Sequence, residues 1–145
     1  MKRVFLCATA AILFAGGGAS LLAHHPFSAE YDWKKPVTVT GTVTKLEWKN
    51  PHAELMVKGQ DENGNNADWM VELGGTDQLR RMGWTKQQFK AGEQITVDGW
   101  LAKDGTKKLS AKSVTLPNGR ELFAVSSFFN ERGRTRETAA TTGKR

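Results

Sequence analysis

The strongest constraint on the fold is an alternation of β-branched residues in the first third of the chain. Val37, Val39 and Val43 fall on every second position, with Gly41 in the same register and threonines between them. A period of two is the pattern of a strand with one buried face. After Val43 the apolar residues move to even positions, as at Leu46. This change of phase beside a glycine predicts a bulge or sharp bend, which helps a long first strand to close a small barrel.

Further strands follow in a regular order. Alternating or apolar runs lie at 53–58, 67–73, 95–101, 109–116 and 121–125. Turn residues at 61–66 and the pair Asn118-Gly119 predict two hairpins. After the third strand a short helix is predicted, capped by Thr76 or Asp77 and ended at Gly83. The order is therefore three strands, a short helix, and two or three strands.

This order predicts an all-β fold, a small OB-like barrel of five to six strands with a short helix between strands 3 and 4. A β-sandwich is the alternative. Sandwiches of the immunoglobulin type have about seven strands and no helix at this point. The barrel is therefore the favoured prediction.

The first 23 residues have the pattern of a secretory signal peptide. Lys2 and Arg3 precede an apolar run at 4–14, and a stretch of small residues ends at Ala23. Glycines interrupt the apolar run after about a dozen residues, whereas a membrane-spanning helix needs about 20. We expect cleavage after Ala23 and a periplasmic or secreted protein with no membrane anchor after cleavage.

The predicted organisation is a signal peptide at 1–23, the barrel domain at 24–129 and a disordered basic tail at 130–145. The formal net charge of the whole chain is +6. Most of the charge that remains after cleavage lies in the tail, so the domain itself is nearly neutral. Nucleic-acid-binding domains concentrate positive charge on a folded face, and we expect no nucleic-acid partner. The single cysteine, Cys7, lies in the signal peptide, which excludes thiol chemistry in the mature chain.

Cleavage after Ala23 would place His24 and His25 at the start of the mature protein. A terminal histidine offers an α-amine and an imidazole to one cation, and copper(II) or nickel(II) prefers such nitrogen donors. Pro26 lacks a backbone N–H, so chelation by successive amides stops at His25. The third histidine, His52, follows Asn50-Pro51 in a predicted turn between the first two strands, a loop that borders the binding face of an OB-type barrel.

Two interpretations of the histidines stay open. One is a metal site formed by His24, His25 and His52, with copper as the ion. The other is that they are exposed or structural loop residues. A metal-free site would instead take a small ligand or an envelope protein through Asn50, His52, Trp33 and Trp84, since Trp33 and Trp84 are the tryptophans whose spacing favours exposure. Trp48 and Trp69 share the phase of apolar neighbours, which favours core packing.

No sequence motif indicates catalysis. Nucleophile motifs, phosphate-binding glycine loops and paired cysteines are all missing from the sequence. Glu47, Glu54, Glu72 and Asp98 fall on the outward phase of their strands, where carboxylates are usually solvated. We therefore expect a non-enzymatic periplasmic binding or accessory protein, with a metal-free binding barrel as the alternative and an oxidative copper enzyme as a less favoured third.

The sequence resembles a family of small exported bacterial proteins classed as a domain of unknown function. The resemblance rests on His24-His25-x-Phe27, the segment Trp48-x-Asn50-Pro51-His52-Ala53, and Gly83-Trp84-Thr85, and it covers roughly 23–126. Members of the family carry Ser where this chain has Pro26. The resemblance implies export and a small β-barrel, and it implies no particular activity.

Overall fold

The computed structural model describes residues 27–124, which form two short helices and six strands. The elements are α1 (Phe27–Glu30), β1 (Tyr31–Glu47), β2 (Glu54–Asp61), β3 (Asn66–Glu72), α2 (Thr76–Arg81), β4 (Gln94–Ala102), β5 (Lys108–Thr115) and β6 (Glu121–Phe123). The predicted all-β class and the helix between the third and fourth strands are confirmed. None of the helices in this part of the chain is long and apolar enough to span a membrane.

The strands form a ring. Their order is β3-β2-β1-β4-β5-β6, and an additional parallel pairing joins β3 to β5. That pairing aligns Met70 to Glu72 with Lys108 to Ser110, so each of the first five strands has a neighbour on both sides. The other strand pairs are antiparallel, and β6 pairs with the second half of β5. A ring leaves the main strands without open edges.

Alternate side chains of the ring form the hydrophobic core. The core residues of the first five strands are Val37, Val39, Val43, Leu55, Val57, Trp69, Val71, Ile95, Val97, Leu109, Ala111 and Val114. Leu79 of α2 joins this core, as do Trp84 and Phe89 from the segment that follows it. The period-two pattern of the sequence therefore corresponds to the inside of the ring.

The predicted irregularity in the first strand is confirmed. The pairing of β1 with β2 shifts its register between Val43 and Lys45, which leaves one extra residue in β1. Two residues earlier, Gly41 faces Gly59 across the same pair. A Cβ at Gly41 would lie 2.6 Å from the Gly59 Cα and 2.5 Å from the Lys58 carbonyl oxygen. The missing side chains let two strands approach closely where the sheet bends.

Two expectations about α2 and the segment that follows it are wrong. The N-cap of α2 is Gly75, with no side-chain cap, whereas Thr76 donates its hydroxyl to the Asn50 side chain instead. Trp84, predicted to be exposed and ligand-binding, is 2% exposed, and its indole N–H donates to the Phe123 carbonyl. The alternation of buried and exposed residues in a strand could not predict its burial, because Trp84 lies outside any strand. The predictions on His24, His25, the signal peptide and the tail fall outside the described residues.

Candidate functional site

A polar cluster lies on the outer face of the ring, where β3 meets β5. Glu72 belongs to β3 and alternates with the core residue Val71. Its outward phase predicted a solvated carboxylate, yet only 8% of the residue is exposed. That expectation is wrong because the Tyr31 and His52 side chains, which come from other segments, lie against this carboxylate. A buried carboxylate needs partners, and three basic or hydroxyl side chains provide them.

Glu72 joins three segments that are distant from it in the sequence. The Tyr31 hydroxyl donates to Oε2 of Glu72 at 2.9 Å, and Nδ1 of His52 lies 3.1 Å from Oε1. The His52 side chain is mostly buried. The Lys108 ammonium stands 3.9 Å from Oε2 of Glu72 and 2.9 Å from the Glu30 carboxylate. The cluster therefore ties the loop between β1 and β2 to the start of β1 and to β5.

The partners of Glu72 keep it ionised. Burial, the largest single influence, opposes its charge, but the hydrogen bond and charge of His52, the Tyr31 hydroxyl and the Lys108 ammonium together hold the pKa of this carboxyl below its usual range. Burial, followed by the charge of Glu72, raises the pKa of the Tyr31 phenol far above its ordinary value. Tyr31 therefore stays protonated and acts as a donor.

The first described helix is anchored beside this cluster. Phe27 and Tyr31 are buried, their ring centroids are 5.4 Å apart, and Phe27 meets Trp100 edge-on at 5.6 Å. Lys103 adds a backbone hydrogen bond to Glu30 and a side-chain bond to a carbonyl of the helix. The helix α1 is therefore connected to the cluster: Phe27 contacts Tyr31, and Tyr31 contacts Glu72.

The loop between β1 and β2 holds Asn50 and His52 in different roles. Oδ1 of Asn50 accepts the hydroxyl of Thr76 at 2.9 Å and its backbone N–H at 3.3 Å, which ties the loop to α2. His52 turns instead towards Glu72. Trp33 is 52% exposed, as predicted, whereas Trp84 lies in the core. The two tryptophans therefore cannot form one stacking surface with this loop.

The described part of the chain does not form a complete metal site. Within residues 27–124, no three His, Cys, Asp or Glu side chains are placed to hold one ion. His52 is the histidine that this part would contribute. A carboxylate on one imidazole nitrogen is the arrangement that orients histidine ligands in metalloproteins. The chemistry available here is thus a positioned imidazole with a buried carboxylate behind it.

Sequence reasoning identified His52 and Asn50 but missed Glu72, Tyr31 and Lys108. Glu72 carries the same period-two signal as a solvated surface carboxylate. Its burial depends on the segment that covers it, and Tyr31 is 41 positions away in the chain. The position of Tyr31 directly after the short helix was the available sign of a buried tyrosine. The spacing in the sequence did not show that its partner is Glu72.

We expect Tyr31→Phe to lower the free energy of unfolding by about 1.5–3 kcal/mol, the range for a hydrogen bond to a charged group. Urea denaturation followed by tryptophan fluorescence would measure it. In a Glu72→Gln background the same substitution should lower the free energy of unfolding clearly less, because the ionised acceptor is gone. An equal cost in both backgrounds would contradict the role given to this hydrogen bond.

Comparison with known proteins gives one match. A family model described as "Family of unknown function (DUF6152)" matches residues 12–111. The matched range contains the three histidines, Tyr31, Glu72 and Lys108. The resemblance to a family of unknown function is therefore confirmed. No curated protein and no solved structure matches the chain significantly.

Proposed function

The chain belongs to this family of unknown function (DUF6152), and we propose that it is a non-enzymatic binding protein of the cell envelope that holds copper(II) or a similar cation. The ligands are the terminal amine and imidazole of His24, the imidazole of His25, and His52. The proposal includes removal of the signal peptide after Ala23, since only that cleavage creates the terminal amine.

One observation carries the proposal, the contact between His52 Nδ1 and the buried Glu72 carboxylate at 3.1 Å. The ionised carboxylate accepts a hydrogen bond from Nδ1–H, and in that tautomer of the neutral ring the lone pair that a metal needs is on Nε2. The same carboxylate fixes the orientation of the ring. Tyr31 and Lys108 in turn hold Glu72 in place.

The anchoring of α1 supports the contribution of the N-terminal histidines. His25 is two residues before Phe27 in the sequence, and Phe27 is held by ring contacts with Tyr31 and Trp100. Phe27 packs on Tyr31, whose hydroxyl contacts the carboxylate that holds His52. Phe27 is thus connected through Tyr31 and Glu72 to His52, which supports including the two histidines that precede it in the sequence among the proposed ligands.

The strand pairing also supports an OB-like barrel as the finer description of the fold. The first strand lies between the second and fourth, the third closes against the fifth in parallel, and α2 stands between the third and fourth. In OB-folds the loop between the first two strands borders the binding face. His52 belongs to that loop here.

The test is a copper(II) titration by competition with a chromophoric chelator, on protein that begins at His24. An otherwise identical chain with one glycine before His24 should bind at least about tenfold more weakly, because the amine and the imidazole no longer close one chelate. Glu72→Gln should weaken binding by about 10- to 100-fold through the orientation of His52. Affinity should also fall as the pH drops below neutral, because protons compete for the nitrogen ligands.

Glu54→Gln is the matched control. Glu54 faces Glu72 across the β2–β3 pair, but its carboxylate contacts Lys49 at the surface. Copper affinity should stay unchanged in this variant. Equal affinity of the native-start and glycine-extended chains would reject the terminal site and favour the metal-free alternative. An unchanged affinity in His52→Ala, with the thermal midpoint retained, would remove His52 from the ligand set.

A further inference from the structure

A second polar surface lies on the outer face of β1 and β4. It consists of two adjoining depressions of about 490 and 350 Å³, which share Thr38 and Glu62. We call it the Thr38 groove. The larger depression has the volume of a small-molecule site. Its walls come from β1, β4, the turn after β2, and Lys112 of β5.

Two carboxylates of the groove accept hydrogen bonds from Thr38. The backbone N–H of Thr38 donates to Oε2 of Glu62 at 2.8 Å, and the Thr38 hydroxyl donates to Oδ1 of Asp98 at 2.6 Å. Each carboxylate keeps a second oxygen as an acceptor. Asp61, by contrast, accepts several hydrogen bonds from Asn63 and Asn65 within its own turn. Glu62 and Asp98 are therefore oriented acceptors beside a row of threonine hydroxyls.

The groove also has apolar and donor groups. Pro36 and the half-buried Trp100 face each other across the β1–β4 pair and line the larger depression. Lys112 supplies an ammonium donor there, and Gln60 supplies an amide in the smaller one. An apolar wall next to fixed acceptors and donors suits a molecule with a hydrocarbon ring face and hydroxyl groups at its edge.

The charges of the side chains that line the groove limit the kinds of ligand that it can bind. Glu62 and Asp98 outweigh Lys112, so a phosphate-bearing or other anionic polymer would be repelled. A bound metal cation would need several converging ligands, and no cluster of three acidic, histidine or cysteine side chains occurs within residues 27–124. A neutral polyhydroxylated ligand satisfies both limits.

We propose that the Thr38 groove binds a neutral segment of a glycan, with Glu62 and Asp98 accepting sugar hydroxyls and Trp100 supporting a sugar ring. The acceptors of the groove lie away from the His52 cluster, although Trp100 also contacts Phe27, the neighbour of Tyr31. Glu54, beside that cluster, and Gln60, in the groove, are six residues apart on β2, roughly 20 Å of strand. Substitutions of Glu62 therefore test the groove without changing a residue of the His52 cluster.

The test uses the full mature chain in EDTA, so that a metal site plays no part. Amide and indole NMR signals are followed while chitotriose, cellotriose or maltotriose is added to about 10 mM, the range of weak binding. We expect at least one of the three to shift signals of Thr38, Thr40, Asp98 and the Trp100 indole. Replacing Glu62 with alanine should weaken that binding at least about tenfold, because an oriented acceptor is lost.

Two further variants complete the experiment. Glu121→Ala removes an exposed carboxylate of β6 and should leave the affinity unchanged. Glu62→Gln retains an acceptor without the charge and should keep most of the affinity for a neutral sugar. The proposal is overturned if none of the three sugars shifts these signals, or if the shifts lie outside the groove. Stronger shifts from a lysine-rich peptide, abolished by Glu62→Gln, would also overturn it and assign a cationic ligand.

Discussion

Trp84→Ala is expected to lower the free energy of unfolding by about 3–5 kcal/mol, the range for removing a large aromatic side chain from a core. Trp84 is 2% exposed, and its ring centroid lies 5.7 Å from that of Phe89. Its indole N–H donates to the Phe123 carbonyl at 2.9 Å. The substitution therefore leaves a cavity and removes the tie between the segment after α2 and β6.

Trp33→Ala is the matched control, since Trp33 is 52% exposed. Its effect should stay within about 0.5 kcal/mol, as for most surface substitutions. Urea denaturation monitored by far-ultraviolet circular dichroism measures both variants. Similar small effects for the two would contradict the placement of Trp84 in the core. They would restore the prediction that this side chain is exposed and available to a ligand.

Gly41→Ala should lower the free energy of unfolding by about 3 kcal/mol, the upper part of the usual range for overpacking. The new Cβ would meet the Lys58 carbonyl oxygen and the Gly59 Cα, at 2.5 and 2.6 Å. Both are backbone atoms, so no side chain can rotate away to make room. The two strands would have to move apart at the bend, and this movement would disturb the pairing that closes the ring.

Thr40→Ala tests the neighbouring position in the same strand. Thr40 is exposed, and its hydroxyl contacts that of Thr96 at the surface. A change of no more than about 0.5 kcal/mol is expected. Thermal and urea unfolding of the two variants would compare them directly. If Gly41→Ala is as mild as Thr40→Ala, the strands do not need the glycine pair to close.

Most of the fold could be predicted from local pattern. Alternation identified the strands, the Asn118-Gly119 turn separates β5 from β6, and the phase change after Val43 corresponds to the observed register shift. These signals are local because each depends on residues only a few positions apart. The predicted cap of α2 was wrong because a residue far away in the sequence determines what the Thr76 hydroxyl binds. Thr76 donates its hydroxyl to Asn50, 26 positions earlier, so a distant partner took the group that a local rule assigned to the helix.

The candidate site was predictable only in part. A histidine after Asn50-Pro51 stood out from the sequence, and the structure holds it beside a buried carboxylate. The carboxylate itself looked like any outward residue of a strand. Asp98 was likewise assigned to solvent, yet it accepts the Thr38 hydroxyl within a groove whose walls come from several strands. The sequence pattern does not show which segments lie against the outer face of the ring.

The sequence by itself determined the order of the strands, the position of the short helix and the alternation that fills the ring, because each depends on backbone periodicity and turn chemistry between near neighbours. Only the tertiary structure decided that Trp84 is a core residue and that Glu72 is a buried, ionised partner of His52 and Tyr31. The physical reason is that burial depends on what covers a side chain. The side chains and strands that cover it come from distant parts of the chain: Tyr31 lies against Glu72, and the Phe123 carbonyl accepts the Trp84 indole N–H. The local pattern around a residue carries no information about such partners.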